Sequence, residues 1–397
     1  MEENNRVIRN LDYISLAVMY LTSGLSLFLI AGATQTIAPA SDPLYFVKRQ
    51  IIWIVLGTVA VAVIAAIPYA RFRQLSPVLY WGSIALLAYV LVKGHTTLGA
   101  QRWINVGPFQ LQPSEFAKIA VVITLATHLS RKERLDRWRD LISPLIHVGI
   151  PMLLILKQPD LGTTLVFVAI TAGMFYLAGV PALKMLLMFP GGLLAMIGWI
   201  YLHLRFPQVW IPMHQYQLNR LIIFLNPNKD PLGAGFNVIQ SRIAVGTGGL
   251  WGTGIGAAHA SQLSFLPESY TDFIFAVIGK ELGFVGSMAI LAVYLLLIAR
   301  GLFIAVQAKD RYGTLLAAGV VAMFSFHVLE SAGMASGIMP VAGVPLPFMS
   351  YGGSAFLTDA AGIGILINVY ARRKAHSYRT AGEVPAVLYS TKRKVNP

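Results

Sequence analysis

The 397-residue sequence contains no cysteine and few charged side chains. The lack of cysteine excludes disulfide bonds and thiolate metal sites, and it leaves the redox compartment undetermined. Only 12% of the residues are charged, whereas an ordinary soluble domain has about 25%. No internal repeat is visible, which removes one argument for a transporter built from inverted repeats. These absences exclude an ordinary soluble domain and a disulfide-stabilised one.

Long apolar runs are the main feature that the sequence does have. The chain is 56% hydrophobic and its mean hydropathy is +0.65. Runs of about 20 apolar residues, enough to cross about 30 Å of hydrocarbon as a helix, recur along it. We therefore predict an all-α polytopic membrane protein with about ten transmembrane helices. The predicted spans are approximately 13–31, 51–67, 77–91, 114–129, 141–156, 161–178, 184–204, 271–298, 315–330 and 354–370.

The basic residues orient these spans. If both termini are cytoplasmic, most lysines and arginines lie on the inner side of the membrane, as the positive-inside rule requires. The net charge of +14 is spread over loops that flank the spans. It therefore favours membrane lipid or substrate phosphate as the anionic partner, and not nucleic acid. We expect a multi-pass protein of the cytoplasmic membrane with both termini cytoplasmic.

The chain is predicted to form one multi-pass membrane domain, residues 1–372, followed by a basic cytoplasmic tail, residues 373–397. Three unusual stretches would face the outer side. A large extracytoplasmic loop at about 205–270, between spans seven and eight, is longer than a passive connector. An uncharged loop at about 331–353 is rich in proline and glycine, so it cannot be one continuous helix. The third stretch, 94–112, combines an arginine with aromatic and amide side chains.

An acidic residue, Asp272, stands where span eight is predicted to begin. Pro267 suits a helix start and Ser269 or Thr271 could cap it, which would place Asp272 in the first helical turn. One interpretation is an acid at the positive end of a helix dipole. The other is a general base, partly desolvated, that takes a proton from an attacking hydroxyl. Glu268 would raise the pKa of such a base by like-charge repulsion.

Two pairs of charged residues fall within predicted spans. Lys280 and Glu281 lie about 12 Å deeper than Asp272 and on other faces of the helix, so pairing with a neighbouring helix is the simpler role. Glu115 and Lys118 are spaced for an ion pair within one helix, which favours a structural role. A charge at this depth costs about 2.5 to 3.5 kcal/mol, so each must be paired or used.

Other acids lie near span ends. Asp160 follows a proline and resembles a helix start on the outer side. His327 and Glu330 close span nine, and Asp359 lies within the last span. These residues have no metal-ligand spacing, so no metal site is predicted from them.

Five motifs in order resemble one family of bacterial membrane proteins. They are QRWINVGPFQLQPSEFAK at 101–118, QPDLGT at 158–163, QSRIAVGTGGLWGTG at 240–254, PESYTDFIF at 267–275 and GIMPVAGVPLPFMSYGG at 337–353. The chain resembles the SEDS family, the shape, elongation, division and sporulation proteins, whose members include RodA, FtsW and SpoVE. The likeness covers nearly the whole chain. FHVLESAG and QPDLGTT are more similar to RodA than to FtsW.

The resemblance implies a peptidoglycan glycosyltransferase of the bacterial cytoplasmic membrane. Such an enzyme polymerises lipid II, a disaccharide-pentapeptide on undecaprenyl pyrophosphate, into glycan strands at the outer face for elongation, shape or division. It works with a class B penicillin-binding protein, which supplies the transpeptidase. The sequence departs from the family pattern at Ser331 and Ala335.

The resemblance also assigns candidate residues. The essential acid of the family corresponds to Asp272, the acid of its QPD motif to Asp160, and its paired glutamate and lysine to Glu115 and Lys118. Substrate-binding roles are further predicted for Glu268, Arg102, Arg242, Ser350 and Gly352. The cations Arg102, Lys118 and Arg242 would stabilise the pyrophosphate leaving group. No cofactor is certain, and whether a divalent cation assists stays open.

Two other functions fit the same features. Embedded acids and broken helices also suit a transporter or flippase of lipid-linked precursor. A non-catalytic scaffold that recruits the cell-wall machinery is the other alternative. Polymerisation of lipid II by the purified protein, and its loss with Asp272→Ala or Asp272→Asn, would separate an enzyme from both.

Overall fold

The computed structural model describes residues 10–35, 37–97, 100–107, 109–206, 208–211, 215–256, 266 and 268–373. Pro267, the stretch 257–265 of the large loop and the tail from residue 374 onwards lie outside the described residues. Helices dominate the described part of the chain, as the all-α prediction requires. They are α1 Tyr13–Thr34, α2 Tyr45–Ala66, α3 Tyr69–Lys93, α4 Pro113–Ser130, α5 Trp138–Lys157, α6 Leu161–Leu177, α7 Ala182–Met188, α8 Pro190–Arg205, α9 Gln215–Leu225, α10 Ala234–Thr247, α11 Ile274–Gln307, α12 Arg311–Ser336 and α13 Gly353–Ala371.

Each of the ten predicted spans coincides with a helix, and span seven is divided into α7 and α8 at Phe189. In the described residues, eight segments are long and apolar enough to cross a membrane, and α6 is a shorter apolar helix. The chain is therefore a membrane protein of many helices, while the number of spans stays a prediction.

The helices alternate in direction, so their connections collect at two ends. At one end, Tyr270 contacts both Tyr351 and Phe46 at the start of α2, and Arg102 contacts the residues before α6. At the opposite end, Arg311 donates hydrogen bonds to the carbonyls of Glu133 and Ala178. We call the first of these ends the site end.

The core lies around α12 and α13, whose apolar residues are mostly buried. Helix α12 packs against α4, α6, α11 and α13, and α13 packs against α2. Alanine and glycine line these contacts, which lets the backbones approach closely. By contrast, α8 has no buried residue.

Two boundaries differ from the sequence prediction. Helix α11 begins at Ile274 and not near residue 271, while α12 continues to Ser336, six residues into the predicted loop at 331–353. Helix α12 continues because its first downstream proline is Pro340, and it ends where Gly337 adopts a left-handed conformation with a φ of 73°.

Two outer stretches contain structure that the sequence did not predict. The stretch 94–112 forms a three-stranded antiparallel sheet of β1 His95–Thr97, β2 Ala100–Val106 and β3 Phe109–Leu111. The large loop contains α9 and α10. These elements cover the site end of the bundle.

A kink in α11 explains the glycine-rich stretch of the large loop. Gly283 has a φ of 67°, which interrupts the helix and leaves backbone groups without helical partners. Residues 249–254 supply those partners: Thr253 and Gly254 donate to the carbonyls of Lys280 and Glu281, and Phe284 donates back to residue 249. The Lys280 and Glu281 side chains are buried in the helical core.

Candidate functional site

A cavity of about 360 Å³ opens among the connections at the site end. It brings together seven of the nine candidate site residues: Arg102, Glu115, Lys118, Asp160, Glu268, Asp272 and Gly352. Further lining residues that the sequence did not single out include Trp103, Gln110, Gln112, Arg220, Tyr270, Gly343 and Tyr351. The cavity therefore combines acids, cations, amides and aromatic rings from five separate stretches of the chain.

Asp272 lies in a turn that precedes α11. The turn, residues 268–273, is closed by hydrogen bonds from the backbone N–H groups of Thr271 and Phe273 to the carbonyl of Glu268. Because α11 begins at Ile274 and no side chain caps it, the expectation that Asp272 stands in the first helical turn beneath a serine or threonine cap is wrong. The irregular turn frees the carboxylate to face the cavity.

The surroundings of Asp272 suit a base. Its side chain is half-buried, and desolvation, followed by the negative charge of Glu268, raises its pKa from 3.8 to about 6. Arg220 and Arg102 act in the opposite direction, and the charge of Asp160 adds to the rise. The carboxyl is therefore ionised near neutral pH and still able to accept a proton.

The segment 337–352 supports the turn from the other side. Ser350 donates a hydrogen bond to the carbonyl of Thr271 at 2.6 Å and accepts one from the N–H of Leu346 at 2.9 Å. Gly343 comes so close that a Cβ atom there would be 3.0 Å from Asp272 Oδ2. Ser350, for which the sequence predicted a substrate-binding role, is buried, is not among the residues that line the cavity, and holds the turn that carries Asp272.

Asp160 begins α6, as the sequence predicted. Its carboxylate accepts hydrogen bonds from the N–H and hydroxyl of Thr163 at 3.1 and 3.0 Å, and from the Gln112 amide at 3.2 Å. Arg102 lies 4.0 Å from the same carboxylate and donates to the carbonyls of Gln158 and Pro159. Asp160 is therefore a helix cap that also holds an arginine at the cavity.

Glu115 and Lys118 form the predicted ion pair, at 2.7 Å, and both are almost fully buried. The ammonium of Lys118 also lies 3.2 Å from Nε2 of His327. Because an ammonium only donates hydrogen bonds, that nitrogen accepts and the ring carries its proton on Nδ1. Nδ1 faces Asp359 at 3.6 Å. A buried polar chain thus joins the cavity to α12 and α13.

The remaining predicted cation, Arg242, is not at the cavity. It is exposed and donates a hydrogen bond to the carbonyl of Gly337 at 2.9 Å. Arg220 of α9 lines the cavity instead and donates to the carbonyl of Val341 at 3.0 Å. The sequence indicated Arg220 only by its position in the large outer loop. Residue spacing alone does not show which arginine of that loop faces the cavity.

Chemically, the cavity can accept a proton and bind an anion. Asp272 supplies a carboxylate whose pKa is near 6, while Arg102, Lys118 and Arg220 supply positive charge. Aromatic rings and amides provide surfaces for a polar, non-planar substrate. This combination suits the transfer of a group away from a phosphate.

Known proteins resemble most of the chain. The model of the FtsW, RodA and SpoVE family, described as cell cycle proteins, matches residues 11–375. Peptidoglycan glycosyltransferase MrdB of Escherichia coli K12 is 39% identical over 353 residues, which cover 87% of this chain and 91% of that protein.

Solved structures agree with these matches. A chain from a peptidoglycan synthase complex that coordinates polymerization and crosslinking is 30% identical, with a TM-score of 0.74 over 92% of this chain and 99% of that one. Rod shape determining protein RodA of Thermus thermophilus is 27% identical, with a TM-score of 0.66 over 92% of this chain and 98% of that one. The chain therefore belongs to the FtsW, RodA and SpoVE family of cell cycle proteins, which is the SEDS family that its motifs predicted.

Proposed function

We infer that the protein is a peptidoglycan glycosyltransferase, the activity named for its relatives. The observation that carries the proposal is the half-buried carboxyl of Asp272 in a cavity shared with three cations. A flippase requires no base of this kind, and a scaffold requires no cavity. The substrate is lipid II. Its sugars match the aromatic rings and amides of the cavity, and its pyrophosphate matches the cations.

In the reaction, Asp272 acts as the general base. Its carboxylate takes the proton from the 4-hydroxyl of the GlcNAc on the acceptor lipid II. The hydroxyl oxygen forms a bond to the anomeric carbon of the growing donor chain, and the bond from that carbon to the pyrophosphate oxygen breaks. Undecaprenyl pyrophosphate leaves with the bonding electrons, the anomeric carbon is inverted, and Asp272 holds the proton.

The leaving pyrophosphate gains negative charge on the bridging oxygen, so cations that face it lower the barrier. Arg102, Lys118 and Arg220 fill this role, and each is held by contacts to the protein before substrate arrives. Preorganised charges of this kind need no rearrangement as the reaction proceeds. Arg242, which lies away from the cavity, has no part in it.

The site end faces the outside of the cytoplasmic membrane, with both termini in the cytoplasm. The supporting observation is that the exposed arginines Arg131, Arg134, Arg137 and Arg139 lie at the opposite end, where the positive-inside rule places cytoplasmic loops. The partner is a class B penicillin-binding protein, which crosslinks the strands as they form. A similar chain belongs to a complex that coordinates polymerization and crosslinking.

Purified protein with labelled lipid II in detergent tests the proposal. Glycan strands should form without a membrane gradient and should be absent with Asp272→Asn. Strand formation at the normal rate by a folded Asp272→Asn variant would contradict the role of Asp272. In liposomes, transport of lipid II by that variant would favour the flippase, while complementation of a deletion strain by localised Asp272→Ala would favour the scaffold.

A further inference from the structure

We propose that two tyrosines that line the cavity, Tyr270 and Tyr351, with Phe46 packed against both rings, form the subsite that binds the acceptor saccharide. We call this cluster the aromatic wall. The proposal rests on the glycosyltransferase function inferred above and assigns each half of the substrate to one kind of residue: the sugar rings of the acceptor bind the aromatic wall, and the pyrophosphate of the donor binds the cations.

The aromatic wall is a compact cluster drawn from three elements. The ring centroids of Phe46 and Tyr270 are 5.0 Å apart, those of Phe46 and Tyr351 are 5.3 Å apart, and those of Tyr270 and Tyr351 are 5.6 Å apart. The N–H of Tyr351 also donates to the carbonyl of Tyr270 at 2.9 Å. Backbone and ring contacts therefore fix the two tyrosines relative to each other.

Aromatic residues at a membrane surface often face lipid as an interfacial belt. The aromatic wall differs because Tyr270 and Tyr351 line the cavity, and both rings are only half-buried. Burial, followed by the charge of Glu268, raises the pKa of Tyr270 to about 12, so its hydroxyl stays neutral. A neutral, partly accessible ring inside a polar cavity is available to a ligand.

The chemistry of the wall matches a saccharide. The axial C–H groups of a pyranose carry partial positive charge, and the faces of aromatic rings are negative, so the two pack against each other. Amides from Gln110 and Gln112 line the same cavity and can bind sugar hydroxyls. An anionic phosphate would instead avoid the ring faces.

The position of the base decides which sugar binds there. Asp272 must reach the hydroxyl of the acceptor, and Tyr270 lies two residues before it in the same turn. The cations come from other elements: Arg102 from β2, Lys118 from α4 and Arg220 from α9. Arg102 and Arg220 act electrostatically on Asp272, so a pyrophosphate that they bind lies within reach of the same carboxylate. The acceptor sugar packs on the wall beside Asp272, and its hydroxyl meets the donor there.

The test uses two probes that each represent one half of the substrate. A lipid-free GlcNAc-MurNAc tetrasaccharide and inorganic pyrophosphate are titrated against the purified full-length protein in detergent. Tyr351→Leu should weaken tetrasaccharide binding about tenfold, a change of about 1.4 kcal/mol, and leave pyrophosphate binding unchanged. Tyr351→Phe, which keeps the ring, should bind the tetrasaccharide almost as the natural protein does. Arg220→Gln should weaken pyrophosphate binding and leave tetrasaccharide binding unchanged.

The matched control is Tyr89→Leu, which removes a half-exposed tyrosine from α3 outside the cavity. It should bind both probes normally. Unchanged tetrasaccharide affinity in Tyr351→Leu, or an equal loss for both probes, would overturn the proposal. Asp272→Asn distinguishes a failure of this proposal from a failure of the proposed function, because the variant should stop polymerisation and still bind both probes.

Discussion

Acidification should slow polymerisation with a midpoint near pH 6, because the base must be ionised to accept a proton. With a pKa of about 6, Asp272 is about 90% ionised at pH 7 and about 10% ionised at pH 5. The value of kcat/KM should therefore fall about tenfold for each pH unit below 6. An aspartate with its ordinary pKa of 3.8 would show no such loss above pH 5.

Two neighbours of Asp272 should move this midpoint in opposite directions. The negative charge of Glu268 raises the pKa of Asp272, so Glu268→Gln should move the midpoint to lower pH. The positive charge of Arg220 lowers that pKa, so Arg220→Gln should move the midpoint to higher pH. Glu133→Gln, which changes an exposed acid at the opposite end, is the matched control for Glu268→Gln and should leave the midpoint unchanged.

The assay is the initial rate of strand formation from fluorescent lipid II at low substrate concentration, measured between pH 4.5 and 8 in one detergent. Normalising each variant to its own maximal rate removes effects on binding or folding. A natural-protein midpoint near pH 4, or a shift of both variants in the same direction, would refute the account of the base.

Two further predictions concern the supports of the site. His327→Leu removes the acceptor that faces Lys118 and leaves a buried charge short of a hydrogen bond. It should lower the free energy of unfolding by about 1 to 3 kcal/mol in denaturant and raise the KM for lipid II. His327→Gln should change both quantities less, and equal changes in the two variants would contradict the role of the polar chain. Gly343→Ala introduces a Cβ atom 3.0 Å from Asp272 Oδ2 at a φ of 71°. Displacing the base should lower kcat about 10- to 100-fold with little change in KM, and a normal kcat would show that Gly343 does not constrain it.

The sequence predicted the helices well because span length and apolarity decide them. It did not predict the sheet at 95–111, whose strands mix polar and apolar residues and are fixed by pairing with each other. The extension of α12 was missed because the prolines of that loop lie after residue 337, so only Gly337 stops the helix. Local composition thus located the irregular segments but not where they begin.

The candidate site was predicted by motifs and completed by tertiary contacts. Asp272, Asp160 and Lys118 line one cavity although their motifs are far apart in the chain. The sequence singled out Arg242, whereas the structure places Arg220 at the cavity; both are loop arginines, and only packing distinguishes their positions. The aromatic wall was invisible in the sequence because its members come from distant segments.

The rate of glycan-strand formation by purified Asp272→Asn tests the central claim most directly. Asp136→Asn, which removes an exposed acid at the opposite end, is the matched control. If Asp272 is the general base, its variant should lose at least about 100-fold in rate, remain folded and still bind lipid II, while the control keeps full activity. Strand formation by folded Asp272→Asn at the rate of the control would contradict the account.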